Sequence, residues 1–237
     1  KIYRKYLPSP EVNLMKLNVQ GNYLGLYVNT ESINKQFAKK HFDYDDGALF
    51  KCDASGMFCD TTGTPPGGYP GLTWNGSSDS TLYYSSYDIK SNHGWKEFID
   101  MIYALNFTPN NLDSFLNIDR ALWAFAVNTV IGNFDSYNGY YVHNYYMYQN
   151  EDNLFQMIPW DLSQSFINAL LGWDIFTPLG PTHPTQYDPY YGSDPSLFRP
   201  LTEFLFNNAE YRKLYTAHLR TVINEIDTNQ IRSEVQT

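Results

Sequence analysis

The sequence predicts an α+β fold in which strands come first and helices follow. Side chains alternate with a two-residue period over residues 12–28, as expected for strands. Apolar residues recur at helical spacing over 93–105 and 111–132. The chain has 237 residues, and 43% of them are hydrophobic, which is enough for one domain with a substantial core. We therefore expect a single domain that is strand-rich over residues 1–90 and helical over 91–237.

The N-terminal part begins with a predicted β-hairpin over residues 12–28. Gly21 and Asn22 supply its turn, and the apolar residues at every second position after them begin the returning strand. A polar helix is expected next at residues 31–41, and a short strand at residues 47–52. A long surface excursion rich in Gly, Pro, Ser and Thr follows at residues 60–94. Within the excursion we expect one strand from Tyr83 to Ile89.

The second part of the chain carries the strongest helical patterns. Over residues 111–132 an apolar stripe ends at Gly132, and either Asp113 or Asn117 can cap its start. The other elements are a helix at 93–105, two strands at 144–148 and 154–158, and two amphipathic helices at 196–206 and 208–226. A polar turn joins the two strands, so we expect them to pair as an antiparallel hairpin.

The charge balance argues against two classes of partner. Lys and Arg number 16 and Asp and Glu number 25, so the formal net charge is −9. A nucleic-acid-binding surface needs a basic stripe that displaces counterions from phosphates, and an anionic membrane attracts the same positive charge. The sequence contains no run of about 18 apolar residues, so no membrane-spanning helix is expected.

Aromatic residues make up 17% of the chain, and 21 of them are tyrosines. Tyrosine combines an apolar ring with a hydroxyl, so this excess favours a β-rich core built with little charge. The alternative interpretation is that aromatic platforms bind carbohydrate.

The cysteines and two sequons favour a secreted or cell-surface protein. Cys52 and Cys59 are close enough in sequence for a local disulfide, which would fit an oxidising compartment. Two lone cysteines do not make a four-ligand zinc site. Asn75-Gly-Ser and Asn106-Phe-Thr both match the N-glycosylation acceptor pattern, although Pro109 makes the second a poorer acceptor.

The densest polar constellation of the sequence lies in residues 131–166. Asp135 follows the end of a predicted helix, Asn144 directly precedes an aromatic strand, and Asp161 directly follows the next strand. In an antiparallel hairpin the start of one strand lies beside the end of the other, so we expect Asn144 and Asp161 side by side. Two carboxylates and an amide at one strand edge suit Mg²⁺, which takes oxygen ligands and keeps waters for a phosphate.

These side-chain types are the ones that phosphoryl transfer requires. An Asp orients the hydroxyl, an Asn and an Asp hold the metal, and cations bind the phosphates. Each residue alone also has a structural explanation, since an Asp after a helix is commonly a cap or turn residue. The alternative enzyme is a glycosidase with Asp135 and Asp161 as paired carboxylates. Trp160 and Trp173 would then be sugar platforms, but Asn144 and the N-terminal hairpin would have no role.

Four sequence blocks carry a resemblance to a known family. The blocks are GNYLGLYVNTESINKQF, GALFKC, NFDSYNGYYVHNYYMY and IPWDLSQSF. In this order they resemble the kinase-like family of spore coat protein H (CotH), whose members are atypical secreted or surface protein kinases. The resemblance runs from about Val12 to the last helix, where RPLTEFLFNNAEYRKLY is similar to the family's helical tail.

The resemblance implies a diverged kinase fold. A small N-terminal sheet lobe would end near residue 90, and a larger helical lobe would carry the catalytic hairpin. The segment that the family places before the first block is missing or very short, so we expect the chain to be part of a longer protein.

The resemblance also implies roles for individual residues. Asp135 matches the catalytic-loop aspartate, Asn144 the metal-binding asparagine, and Asp161 the metal-binding aspartate of the Asp-Phe-Gly triplet. The fit to ordinary kinases is loose, because Asn144 comes nine positions after Asp135 instead of five, and Leu-Ser follows Asp161. Asn138 is the rival for the asparagine role. Ser163 occupies a position where family members carry a second acid, which weakens the case for a second metal site.

The phosphate-binding side is less defined in the sequence. Gly21 and Gly25 can let backbone amides approach a phosphate, although glycines in a hairpin are more commonly turn residues. Lys51, at the end of the third strand, is the first candidate for the phosphate-binding lysine, and Lys90 is its rival. The candidates for an acidic partner of that lysine are Glu31 and Glu97.

The function predicted from these features is an atypical secreted or surface protein kinase that binds ATP and Mg²⁺ and phosphorylates hydroxyls of a protein substrate. Kinases place an activation or substrate loop where this chain has the Pro-, Gly- and Tyr-rich residues 172–195, with Tyr187, Tyr190 and Tyr191 suited to peptide contact. The alternative is a kinase-like scaffold with weak or no activity. It would serve cell-surface adhesion, carbohydrate binding or assembly, with a dockerin-type partner in a longer parent protein.

The five histidines are scattered, and no Walker-type lysine loop or Gly-x-Ser-x-Gly elbow occurs, which disfavours zinc and acyl-transfer chemistry.

Overall fold

The computed structural model describes residues 1–53, 69–166 and 187–236. Over these residues the chain combines α-helices with antiparallel sheets, which confirms the α+β class. The strands are β1 (Val12–Val19), β2 (Asn22–Thr30), β3 (Leu49–Cys52), β4 (Asp88–Ile89), β5 (Tyr145–Gln149) and β6 (Phe155–Pro159). The helices are α1 (Lys35–Phe42), α2 (Trp95–Phe107), α3 (Ile118–Ile131), α4 (Pro200–Asn207), α5 (Ala209–Glu225) and α6 (Thr228–Gln236).

Strands β1 and β2 form the predicted N-terminal hairpin, which is a separate two-stranded sheet. Its turn lies one residue earlier than expected, because Val19 already pairs with Asn22. Gln20 and Gly21 make the turn with φ of 51° and 83°, the left-handed conformations that match the twist of the flanking strands. Both faces of the hairpin are largely exposed, and it carries nine large apolar side chains open to solvent, such as Leu14.

The remaining strands form one antiparallel sheet in the order β4-β3-β5-β6. Strands β5 and β6 are the predicted hairpin, with Tyr145 opposite Pro159 and Gln149 opposite Phe155. This sheet joins strands from before and after residue 90. The division of the chain into two lobes at that residue stays a prediction.

The two faces of this four-stranded sheet pack against different helices. On one face Phe50 and Met147 belong to the main core, where the Phe50 ring stacks on Phe98 of α2 at 4.2 Å. On the other face Tyr148 packs with Phe37 of α1 in a smaller cluster. Strands β5 and β6 are therefore buried throughout and hold the residues at their ends in fixed positions.

The helix predicted over residues 111–132 is shorter in the structure. Helix α3 begins only after Pro109–Ser114 have formed a 3₁₀ turn. Asn117, and not Asp113, caps α3, because its side chain accepts a hydrogen bond from a first-turn amide at 3.1 Å. Gly132 ends the helix as predicted, in a left-handed conformation with φ of 65°.

The strand predicted from Tyr83 to Ile89 is wrong over most of its length. Residues Ser80–Tyr83 form a 3₁₀ turn, and only Asp88–Ile89 belong to a strand. Tyr83 is fully buried, and its hydroxyl donates to the Ser77 carbonyl at 3.1 Å. Tyr83 and Tyr87 fill the core beside α2 because their spacing fits a turn, while Tyr84 is exposed, so these side chains do not alternate across a sheet.

The C-terminal helices also differ in their bounds from the prediction. Helix α4 starts at Pro200, because Pro195–Leu197 form a 3₁₀ turn, and α5 is capped by the Asn208 side chain. Helix α6 is an additional element that the apolar pattern did not predict. Within the described ranges, no helix has both the length and the apolar character needed to cross a bilayer.

The predicted disulfide falls partly outside the described residues. Cys52 ends β3 with a fully buried side chain, and burial raises the pKa of its thiol. Cys59 lies outside the described residues, so the pairing stays a prediction. Both sequon asparagines use their side chains internally: Asn106 donates to the carbonyls of Leu72 and Ile102, and Asn75 donates to that of Leu82.

Candidate functional site

The loop between α3 and β5 carries Asp135 and is held by buried amides. Asn128 Nδ2 donates to Asn138 Oδ1, and Asn133 Nδ2 donates to Asn128 Oδ1, both at 3.0 Å. The hydroxyl of Tyr3, from the N-terminal segment, also donates to Asn128 Oδ1. Buried polar groups that are hydrogen-bonded to one another restrict a backbone to one arrangement. The network therefore gives the Asp135 loop a defined conformation.

Asn138, the rival for the metal-binding asparagine, belongs to this network. Its Nδ2 donates to the Phe125 carbonyl at 3.2 Å and to Thr129 Oγ1 at 3.1 Å. Because Asn128 binds its Oδ1 as well, the whole amide is engaged inside the protein. Asn138 therefore supports the loop and does not face the candidate site.

Both carboxylate oxygens of Asp135 have a neighbouring nitrogen. Asn144 Nδ2 donates to Asp135 Oδ2 at 3.0 Å and to the Asp135 carbonyl at 3.1 Å, and His143 Nε2 lies 3.2 Å from Asp135 Oδ1. The Asp135 and His143 side chains are 18% and 16% exposed, so the carboxylate is held but still reachable. The structure thus brings Asp135 and Asn144 together, and adds His143.

Asn144 and Asp161 lie at neighbouring strand ends, as the hairpin predicts. The Trp160 backbone N–H donates to the Asn144 carbonyl at 3.1 Å, which extends the β5–β6 ladder by one pair, and Asp161 follows directly. Both residues have left-handed backbones, with φ of 59° for Asn144 and 41° for Asp161. Such conformations cost free energy in non-glycine residues and are enriched at functional sites.

The free oxygens of these two residues suit a hard cation. Since Asn144 Nδ2 is bound to Asp135, its Oδ1 is turned away from that carboxylate. Asp161 is exposed, and its Oδ1 accepts a hydrogen bond from the Ser163 N–H at 3.2 Å. Its Oδ2 accepts none within the described part of the chain. An amide oxygen and a carboxylate oxygen are ligands of the kind that Mg²⁺ takes, so the residues present fit this ion.

Asp53 is a residue of the same sheet end that the sequence interpretation missed. Cys52 pairs with Tyr145, so Asp53 emerges from β3 beside the start of β5, where Asn144 lies. Asp53 directly follows a strand, which is the same sequence feature that indicated Asp161. This feature points to the candidate site only once β3 is known to pair with β5.

Lys51 is linked to this end of the sheet by an ion pair with Asp53. The Lys51 Nζ lies 2.5 Å from Asp53 Oδ2, and the two side chains are 27% and 29% exposed. Lys51 pairs with Tyr146 on β5, so both side chains lie on the same face of the sheet. Burial, and then the charges of Asp53 and Asp88, raise the pKa of Tyr146 to about 12.

The two predicted acidic partners of the lysine are wrong. Glu31 binds Lys40 at 3.0 Å, at the base of the N-terminal hairpin, and Glu97 is exposed on α2. The rival Lys90 is bound to Asp88, the residue opposite Lys51 on β4. Lys51 and Lys90 therefore sit in one patch with alternating charges at this edge of the sheet.

The structure does not bring Gly21 and Gly25 to the other candidates. Both glycines lie in the separate hairpin, and a Cβ built on either would have no neighbour within 4 Å among the described residues. Gly25 has a φ of 126° and lies opposite Leu17, where the strand register shifts. Their contact with a phosphate stays a prediction.

Two further predictions concern residues near the undescribed segment. Trp173 lies outside the described residues. Tyr187 is buried and donates its hydroxyl hydrogen to the Asn138 carbonyl, while Tyr190 and Tyr191 are half-buried. These tyrosines pack on the protein itself.

Within the described ranges, no group of three or more His, Cys, Asp and Glu side chains is placed to hold a metal ion.

Comparison with known families defines the class of this α+β protein, which is kinase-like. A family model described as CotH kinase protein matches residues 5–237, and the chain belongs to this family. The chain is also 24% identical, over 233 residues, to the inner spore coat protein H of Bacillus subtilis strain 168. That match covers 93% of this chain and 55% of the relative, so the chain spans about half the relative's length.

Proposed function

We propose that this protein is an atypical kinase that transfers the γ-phosphate of ATP to hydroxyls of secreted or surface proteins in a Mg²⁺-dependent reaction. Membership of the CotH kinase family supports a kinase-like activity. The observation that carries the proposal is the hydrogen bond from Asn144 Nδ2 to Asp135 Oδ2, beside the exposed carboxylate of Asp161. This bond engages the nitrogen of the Asn144 amide and leaves its oxygen free of Asp135, at the sheet end that Asp161 follows.

In this proposal each residue has one task. Asp135 orients the substrate hydroxyl and accepts its proton at a carboxylate oxygen, while His143 and Asn144 hold that carboxylate in place. Asn144 Oδ1 and Asp161 would hold the metal ion. When bound, Mg²⁺ supplies positive charge that neutralises the phosphate oxygens. Lys51 is the proposed phosphate-binding cation, which then exchanges Asp53 for a phosphate.

The proposal is tested by phosphate transfer from γ-labelled ATP, with dephosphorylated casein as the acceptor. We expect Asp161→Asn and Asp135→Ala to lower the transfer rate by about 10²-fold or more, since each removes a charge that acts in the transition state. The control is Asp152→Asn, at the opposite end of the same β5–β6 hairpin, which should transfer like the wild type. Wild-type transfer rates in both site variants would contradict the proposal.

A second candidate is a kinase-like binding module without transfer activity. The exposed N-terminal hairpin favours it, because nine large apolar side chains in solvent are typical of a surface that meets a partner. This candidate predicts that ATP produces no magnesium-dependent heat of binding. The same titration with soluble polysaccharides tests its carbohydrate-binding form.

A further inference from the structure

Arg199 is a buried residue that holds the backbone of the Asp135 loop. It directly precedes α4, and it is only 2% exposed. Its guanidinium donates to three carbonyls of the loop. Nη1 donates to Gly139 and, at 3.3 Å, to Tyr137, and Nη2 donates to Tyr140 at 2.8 Å.

The carbonyls bound by Arg199 belong to residues that pack directly on the backbone before Asp135. The Tyr140 N–H donates to the Phe134 carbonyl at 2.7 Å and closes the loop into a ring. Gly139 lies so close that a Cβ on it would be 2.6 Å from Phe134 Cα. A shift of Gly139 or Tyr140 must therefore move Phe134, and Asp135 with it.

The positive charge of Arg199 interacts with carbonyl groups of the loop itself. Within the described ranges its guanidinium has no carboxylate partner, and its plane lies over the Tyr191 ring at 4.9 Å. Burying an unpaired cation costs free energy unless hydrogen bonds compensate it. Charge-assisted bonds from Nη1 and Nη2 to three carbonyls compensate part of that cost, while Nε has no hydrogen-bond partner among the described residues. These bonds need the planar fork of arginine, which lysine lacks.

We propose that Arg199 is a positioning residue for phosphate transfer. Its guanidinium fixes the backbone of residues 137–140, and this fixes the orientation of Asp135 toward the substrate hydroxyl. The inference rests on the proposed kinase function and adds a residue that sequence spacing does not link to the site, because Arg199 lies far along the chain from Asp135. Misplacing a reacting group by about 1 Å costs about 10²-fold in rate.

The kinetic test compares Arg199→Met and Arg199→Lys with a matched control. Arg212 stacks on Tyr190 at 3.7 Å and donates to the Phe206 carbonyl at 3.3 Å, so Arg212→Met removes a similar aromatic contact without touching the loop. We expect both Arg199 variants to lower kcat by about 10²-fold, with KM for ATP within about twofold, and Arg212→Met to match the wild type. A wild-type kcat in Arg199→Lys would show that charge suffices, and it would overturn the positioning role.

A second measurement needs no activity. Amide hydrogen exchange of Gly139 and Tyr140, without nucleotide, should be about tenfold faster in Arg199→Lys and unchanged in Arg212→Met. The amide of Met147, in the centre of β5, should not change and shows that the variant is folded. If the wild type transfers no phosphate, the exchange result still tests the loop contact, and only the proposed function fails. If the wild type transfers phosphate and exchange does not change, the inference about Arg199 is refuted.

Discussion

Replacing Gly139 by alanine tests how tightly the Asp135 loop is packed. The added Cβ would lie 2.6 Å from Phe134 Cα and closer still to the Phe134 carbonyl. All of these atoms are backbone, so no side chain can rotate away, and the loop must shift by roughly 1 Å. Overpacking costs about 1–3 kcal/mol, and we expect the upper end because the Arg199 bond to Gly139 must also stretch. For a domain of this size, about 3 kcal/mol corresponds to a fall in Tm of about 6–12 °C.

The assay is thermal unfolding followed by circular dichroism, with Gly76→Ala as the control. Gly76 has a φ of 86°, and a Cβ on it has no neighbour within 4 Å in the described part of the chain, so alanine there adds only backbone strain. That strain is about 1–2 kcal/mol, which lowers the Tm by about 2–8 °C. If Gly139→Ala melts at the temperature of the wild type, or above Gly76→Ala, the packing argument for the loop is refuted.

Three further predictions concern stability and nucleotide binding. Burial raises the pKa of Tyr3 and Tyr145 well above the usual value, so the folded state retains these protons more strongly than the unfolded state. Stability should therefore fall as the pH rises above about 10, and the phenolate absorbance of Tyr3 and Tyr145, isolated by difference from Tyr3→Phe and Tyr145→Phe variants, should appear together with unfolding and not before it. Asn34→Ala removes the cap of α1, which should cost about 1 kcal/mol and lower the Tm by about 2–4 °C; an unchanged Tm would contradict the cap. Lys51→Met should raise the KM for ATP about tenfold and Lys90→Met much less, and the reverse order would reassign the phosphate-binding lysine.

Local patterns were enough to predict the centre of the candidate site. The polar turn between two apolar runs determines the β5–β6 hairpin, and the hairpin alone places Asn144 beside Asp161. The end of α3 could also be predicted from the sequence, because Gly132 is a residue type that terminates helices. Each of these features depends on residues that are close together in the sequence.

The features that the sequence did not predict depend on contacts between distant segments. Asp53 joins the sheet end only because β3 pairs with β5, and Arg199 reaches the loop only because α4 folds back on it. Glycine is required at position 139 because of the close approach to Phe134, and not because of a positive φ. The strand error at Tyr83 has the same origin, since burial beside α2 overrides a local β-pattern.

The most direct test of the central claim is a calorimetric titration of ATP into the protein. In the proposed function, Asn144 and Asp161 would hold a divalent ion that accompanies the triphosphate. This role predicts a heat of binding in excess MgCl₂ that disappears when EDTA replaces the magnesium and is absent in Asp161→Asn. Asp152→Asn should bind like the wild type. Equal heats with magnesium and with EDTA, or an Asp161→Asn variant that binds as tightly as the wild type, would contradict the account.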